Sequence, residues 1–240
     1  LGDLSGAVSL YDLSAQTLLW SSSLHQGAVT CVSLDSTNVY SGGVDVCLKI
    51  INRTNGTLRI NKPGMHTDPL VAVGTAKATD KDGVSTEVLF SVAEDKTAVF
   101  LRKDNFVILR RMELPEKPTA AEAIGDKFYI STKNPPATWI YNVDGLLERW
   151  IEHPPMKGEI AKIMVDPSGQ YIITGKRASL GKGDVDFSFF GIMSLSLAID
   201  QVNCFGAFQF WEKGRGIYRH SLAHSHPLID GRIIGDGNLY

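Results

Sequence analysis

Cysteine is scarce in this sequence: Cys31, Cys47 and Cys204 are the only three in 240 residues. They are too few and too scattered for a disulfide framework or a zinc site, both of which need ligands paired at close spacing. The expected setting is a reducing, intracellular one, with cytoplasm and nucleus not distinguished. A basic surface is missing as well. The formal net charge is -2 and the pI about 6.3, and the densest basic stretch is Lys176, Arg177 and Lys182. Binding to a polyanion rests on clustered cations, so contact with RNA is expected only indirectly. Long apolar runs are absent too. The richest, Phe187 to Ile199, falls short of the ~20 residues that cross a bilayer and is interrupted by serines, so no membrane insertion is expected. Leu1 to Tyr11 mix Gly, Asp and Ser into the apolar positions and do not read as a secretion signal.

Signatures of chemistry are equally thin. No serine sits in a Gly-x-Ser-x-Gly elbow. The stretch Gly175 to Gly183 resembles a phosphate loop, but its glycines are one residue too far apart and Lys182 is followed by Gly183; a flexible surface loop is the reading. His220, His224 and His226 lie close together, yet no carboxylate or cysteine is interleaved to complete a metal set. Asp80-Lys81-Asp82-Gly83 lacks the remaining ligands of a calcium loop. The triplets Asn52-Arg53-Thr54 and Asn55-Gly56-Thr57 match the glycan acceptor pattern at a frequency chance supplies. No cofactor, metal or small-molecule ligand is expected.

What the sequence does have is repetition. Ala7 to Leu13 alternate as a strand does, Ser14-Ala15-Gln16 turn, and Thr17 to Leu24 return. His25 follows, with Val29 four residues on. Then come Val39 to Gly43, Asp45 in a turn, Leu48 to Asn52, and the tight turn Thr54-Asn55-Gly56. His66 arrives 41 residues after His25, again with an apolar residue, Leu70, four positions later. The third unit continues through Val88 to Ala93, Asp95, Ala98 to Leu101 and Phe106 to Leu114, with Lys77 to Gly83 as a lengthened surface loop. The fourth contains Lys127 to Thr132, Ala137 to Asn142 and Leu146 to Ile151, without the histidine. The fifth runs Glu159 to Val165, turns at Asp166-Pro167-Ser168-Gly169, and returns over Gln170 to Thr174. After an insertion it resumes at Phe205 to Trp211 and ends at Ala223-His224; a sixth unit starts at Leu228. A period of about 40 to 45 residues with four short strands marks a propeller blade.

These spacings resemble WD-repeat proteins, whose blades show a Gly-His pair, a turn aspartate and a terminal Trp-Asp. His25, His66 and His224 stand at the histidine position, Asp45 and Asp95 at the aspartate, and Trp211-Glu212 and Tyr11-Asp12 at the closing dipeptide. Ile51-Asn52, Leu101-Arg102 and Tyr141-Asn142 are degenerate versions, and Ala223 replaces the glycine before His224. The resemblance implies an all-β propeller of four-stranded blades, with five to six represented and the whole belonging to a larger or seven-bladed ring. The blades fall at 1–24 (partial), 25–65, 66–117, 118–157, 158–223 with the insertion 176–203, and 224–240 (partial). It also implies that His25, Asp45, His66, Asp95, Trp211 and His224 are structural blade residues, hydrogen-bonded with nearby hydroxyls.

The expected function is a non-catalytic scaffold or adaptor that holds other proteins of a complex. The alternatives are a propeller subunit of a ribonucleoprotein contacting RNA, and an enzyme with its site in the central funnel. The insertion carries Phe187, Phe189 and Phe190, which read either as part of an extra strand on their own sheet or as an apolar contact for a partner protein.

Overall fold

The structure is a computed structural model. It describes the backbone of residues 1–79, 85–142, 144–152, 159–165, 172–178, 187–193, 206–211, 218–224, 233–234 and 238–239, and side chains over 1–77, 86–142 and 144–152 and at Ile160 and Ile163. The described elements are strands throughout, and almost all pair with the strand next in sequence. β1 (Ala7–Asp12) and β2 (Thr17–Ser23) form a hairpin. β3 (Val29–Leu34), β4 (Asn38–Gly43), β5 (Leu48–Asn52) and β6 (Leu58–Lys62) form a four-stranded antiparallel sheet. Two more four-stranded sheets follow: β7 (Leu70–Thr79), β8 (Ser85–Ala93), β9 (Thr97–Arg102) and β10 (Ile108–Glu113), then β11 (Pro118–Ile124), β12 (Lys127–Thr132), β13 (Ala137–Asn142) and β14 (Leu147–Glu152). β15 (Glu159–Val165), β16 (Ile172–Ala178) and β17 (Phe187–Met193) make a three-stranded sheet. β18 (Gly206–Trp211) pairs with β19 (Tyr218–His224), and the short β20 (Ile233–Ile234) with β21 (Asn238–Leu239).

The sheets stack face against face, which explains why the middle strands are mostly apolar and buried on both sides: both of their faces are covered. Along β8 and β9, side-chain alternation divides the residues between two layers. Leu89, Val99 and Leu101 join Tyr40, Leu48 and Ile50 of the preceding sheet. Val88, Phe90, Val92 and Phe100 join Phe128, Ile130 and Tyr141 of the following one. There the Phe128 ring meets Phe90 and Phe100 edge-on, at centroid distances of 4.8 and 5.2 Å. A smaller layer of Val8, Val39 and Ile51 joins the first hairpin to its neighbour, and Tyr129, Ile140, Ile160 and Ile163 join the fourth and fifth sheets.

The first strand of each sheet lies beside the first strand of the next, β3 by β7, β7 by β11 and β11 by β15. Each carries a bulge at the same place: Thr30, Val71, Thr119 and Ala161 have no partner opposite. The Thr30 bulge lets its hydroxyl reach the carbonyl of Leu70 at 2.6 Å, in the next sheet. Close approach here requires Gly42, since a Cβ at that position would stand 2.7 Å from the Leu70 side chain. Outer strands repeat a bulge as well, at Leu19, Arg59, Leu109 and Glu148, just after the turn that starts each strand.

In three places the layout differs from the sequence reading. Lys77 to Thr79 are the last residues of β7, paired with β8, and not the start of the lengthened loop. β16 runs on to Ala178, so Gly175 to Ala178 are strand backbone and not the start of a flexible loop. Their partners are Phe187 to Phe190 of the insertion, which occupies the sheet position that the sequence spacing gave to Phe205 to Trp211. Phe187, Phe189, Phe190, Ile192 and Met193 make this stretch apolar enough to form a strand that competes for that edge. The turn Asp166 to Gly169, the loop from Asp80 to Gly83 and Ser194 to Phe205 lie outside the described residues.

Candidate functional site

Two sheets contain the same buried polar set. His25 lies in the segment before β3 and Asp45 in the β4–β5 turn; His25 Nδ1 is 2.8 Å from Asp45 Oδ1 and Nε2 is 2.7 Å from Ser41 Oγ. The free oxygen of Asp45 accepts the Gln26 N–H at 3.1 Å, and Lys49 Nζ stands 3.7 Å away. Gly43 leaves room for the pair, because a Cβ there would meet His25 Nδ1 at 2.8 Å and Asp45 Oδ1 at 2.9 Å.

In the next sheet His66 Nδ1 lies 3.2 Å from Asp95 Oδ2 and 2.9 Å from Thr97 Oγ1, while Nε2 is 2.9 Å from Ser91 Oγ. Asp95 also accepts the Thr67 N–H at 2.9 Å and the Thr97 hydroxyl at 2.7 Å. Arg111 closes the set from β10, donating to Thr97 Oγ1 at 3.2 Å and to the Met65 carbonyl.

The electrostatics favour neutral imidazoles. Burial pushes both His25 and His66 below their ordinary pKa, outweighing the neighbouring aspartate in each case. Burial also works against the charge of Asp45 and Asp95. The hydrogen bonds from His25 and Gln26 on Asp45, and from Thr67 and Thr97 on Asp95, nonetheless hold the carboxylates below the usual range. A neutral histidine that donates Nδ1–H to a carboxylate must accept at Nε2, so the Ser41 and Ser91 hydroxyls donate there. Both imidazole side chains are fully enclosed, as are the two serines. The arrangement is a strap: it ties the segment entering a sheet to the second strand and to the turn that follows it.

The fourth sheet has neither histidine nor aspartate at these places. Ser131 stands where Ser41 and Ser91 stand and is equally buried, but its hydroxyl meets Thr138 Oγ1 at 2.9 Å. Thr132 accepts from Trp139 Nε1 at 3.1 Å and donates to the Pro135 carbonyl at 2.8 Å. Register makes the equivalence explicit, since Ser41, Ser91 and Ser131 oppose Lys49, Val99 and Thr138. Sequence reasoning did not name the three serines, Lys49 or Thr97.

A second polar group ties neighbouring sheets. Asp35 Oδ2 accepts the Tyr40 hydroxyl at 2.6 Å and pairs with Lys103 Nζ of the next sheet at 3.0 Å. Burial opposes the Asp35 charge, but the Tyr40 hydroxyl and the N–H groups of Thr37 and Asn38 hold the carboxyl far below its ordinary pKa. Burial and Asp35 together push the Tyr40 phenol well up.

Between the first strands lies a cavity of about 280 Å³, lined by Val29, Thr30, Cys31, Ser33, Val73 and Ala121, among others, with Glu122 the one carboxylate among the described lining residues. Among the described residues no group of three metal-ligating side chains comes together. Trp211 ends β18 opposite Tyr218, and His224 ends β19 opposite Gly206. On β17, Phe187, Phe189 and Phe190 oppose Ala178, Lys176 and Gly175 of β16. The side chains of these five residues lie outside the described ones.

No protein-family description matches the chain, and no curated protein matches it either. Solved structures do. The crystal structure of a WD40 β-propeller domain of Doa1 matches with a TM-score of 0.59 at 15% identity, covering 73% of this chain and 56% of that one. A computationally designed protein, Ika8, matches with a TM-score of 0.57 at 18% identity, covering 73% of this chain and 51% of that one. The fold is propeller-like. The chain spans about half the length of the solved proteins it matches.

Proposed function

We propose that the chain is a non-catalytic interaction scaffold, built as five to six WD-type blades of a larger propeller and holding other proteins of an intracellular complex. One observation supports this above the others. The buried polar residues are spent on internal straps, while exposed apolar side chains recur where the outer strands begin. They are Leu18 and Leu19 on β2, Leu58 on β6, Val107, Ile108 and Leu109 at β10, and Leu146 and Leu147 at β14, where Trp150 is also exposed. Apolar side chains repeated along one rim serve as anchors for partner proteins. Arg110, Arg111, Glu148 and Arg149 between them discourage edge-to-edge pairing of those strands with other copies.

The test is affinity purification of the chain and of an Ile108→Asp, Trp150→Ala variant, with mass spectrometry of what each retains. The scaffold reading expects a defined set of proteins on the parent chain that the variant loses while its circular dichroism stays unchanged. An identical set on both, or an empty one on the parent, contradicts it.

A further inference from the structure

The one Asn-Gly pair of the sequence, Asn55-Gly56, forms the tip of the β5–β6 turn. The Asn55 side chain is exposed, and the next residue is a glycine at φ +71°, so no side chain shields the main-chain nitrogen from the neighbouring amide. Asn55 Oδ1 accepts two hydrogen bonds, from the Thr57 N–H at 3.1 Å and from the Thr57 hydroxyl at 2.8 Å. Both draw electron density from Cγ and stand ready to stabilise the oxyanion that forms when a nucleophile adds there. The Gly56 N–H donates to the Asn52 carbonyl at 2.9 Å, so this bond opens before the nitrogen attacks.

The same turn is where the first hairpin grips its neighbour. Trp20 Nε1 donates to the Arg53 carbonyl at 2.7 Å, and Ser22 Oγ donates to the Gly56 carbonyl at 2.9 Å. A Cβ on Gly56 would lie 2.7 Å from the Trp20 ring, so the fit is close.

We propose that Asn55-Gly56 is a self-modification site whose conversion to isoaspartate loosens the β1–β2 hairpin from the second sheet. The Gly56 main-chain nitrogen bonds to Asn55 Cγ, loses its proton to solvent base, and the side-chain amide departs as ammonia. Water then opens the succinimide at either carbonyl, leaving aspartate or isoaspartate at position 55. The isoaspartyl product routes the main chain through the former side chain. That adds one methylene between the Arg53 and Gly56 carbonyls that β2 holds, and places a negative charge at the tip.

The experiment is incubation of the folded full chain at neutral and mildly alkaline pH, followed by peptide mapping and enzymatic methylation of isoaspartyl carboxyls. Position 55 is expected to convert ahead of every other asparagine and faster at the higher pH. Thr57→Val should slow it by about tenfold, while Thr57→Ser keeps the rate. An intact Asn55 in the folded chain under conditions that convert the urea-unfolded chain overturns the proposal, as does a Thr57→Val chain converting at the parent rate. Hydrogen exchange tests the loosening. Amides of Thr17–Ser23 should exchange faster in the modified fraction, and equal exchange would refute that half.

Discussion

The second and fourth sheets solve one problem with different chemistry. Each must fasten a buried second-strand serine, and the second sheet does it with His25 and Asp45, a charged set that also reaches the preceding segment through the Gln26 N–H. The fourth does it with Thr138, and with Thr132 and Trp139 beside it, all neutral and all within the sheet. The shared serine shows that the position demands a hydrogen-bonded small residue. What varies is whether the strap also senses pH and whether it spans a longer stretch of chain.

That contrast can be tested at several strengths. The largest effect is expected from Asp45→Ala, which strands the His25 imidazole and the Gln26 N–H in a buried site and should cost on the order of 1–3 kcal/mol in chemical unfolding. Thr138→Val in the fourth sheet removes one neutral bond and should cost about 1 kcal/mol; an equal loss for both would erase the distinction. Gly43→Ala is expected to cost about 1–3 kcal/mol by forcing His25 and Asp45 apart.

Acid separates the sheets next. His25 and His66 have folded pKa values below the ordinary 6.5, so the unfolded chain binds protons first and stability falls as pH drops below about 6.5. The depressed Asp45 and Asp95 add a further loss of the same sign as pH falls below the ordinary 3.8. Native-state hydrogen exchange between pH 7 and 5 should therefore show the second and third sheets opening more readily while the fourth is little changed. The smallest effect is a gain. Val46, in the turn beside Asp45, sits at φ +59°, where a β-branched residue is strained, and Val46→Gly should raise stability by up to about 1 kcal/mol.

The strands were the most legible part of the sequence, since Val88 to Ala93 and Ala98 to Leu101 read as apolar runs whether one face or both are covered. His25, His66, Asp45 and Asp95 were legible because a charged or titratable residue at a fixed distance from an apolar run stands out. Ser41, Ser91 and Ser131 were not, because a serine inside such a run resembles any solvent-facing residue of an alternating strand. Bulges such as those at Thr30 and Leu109 leave no trace in composition, only in register. The strand carrying Phe187, Phe189 and Phe190 was legible as one of two readings of the insertion, whereas its place beside β16 was hidden for a related reason. Both Phe187 to Met193 and Phe205 to Trp211 have strand character, and spacing alone does not rank which of them pairs with β16.

Covering both faces of β8 and β9 has a mechanical corollary. A sheet whose two sides are wall to its neighbours has no inside of its own, and its cohesion is shared along the row as in stacked repeats. Among the described residues the layer of Val8, Val39 and Ile51, between the opening hairpin and the second sheet, is the smallest of those shared walls.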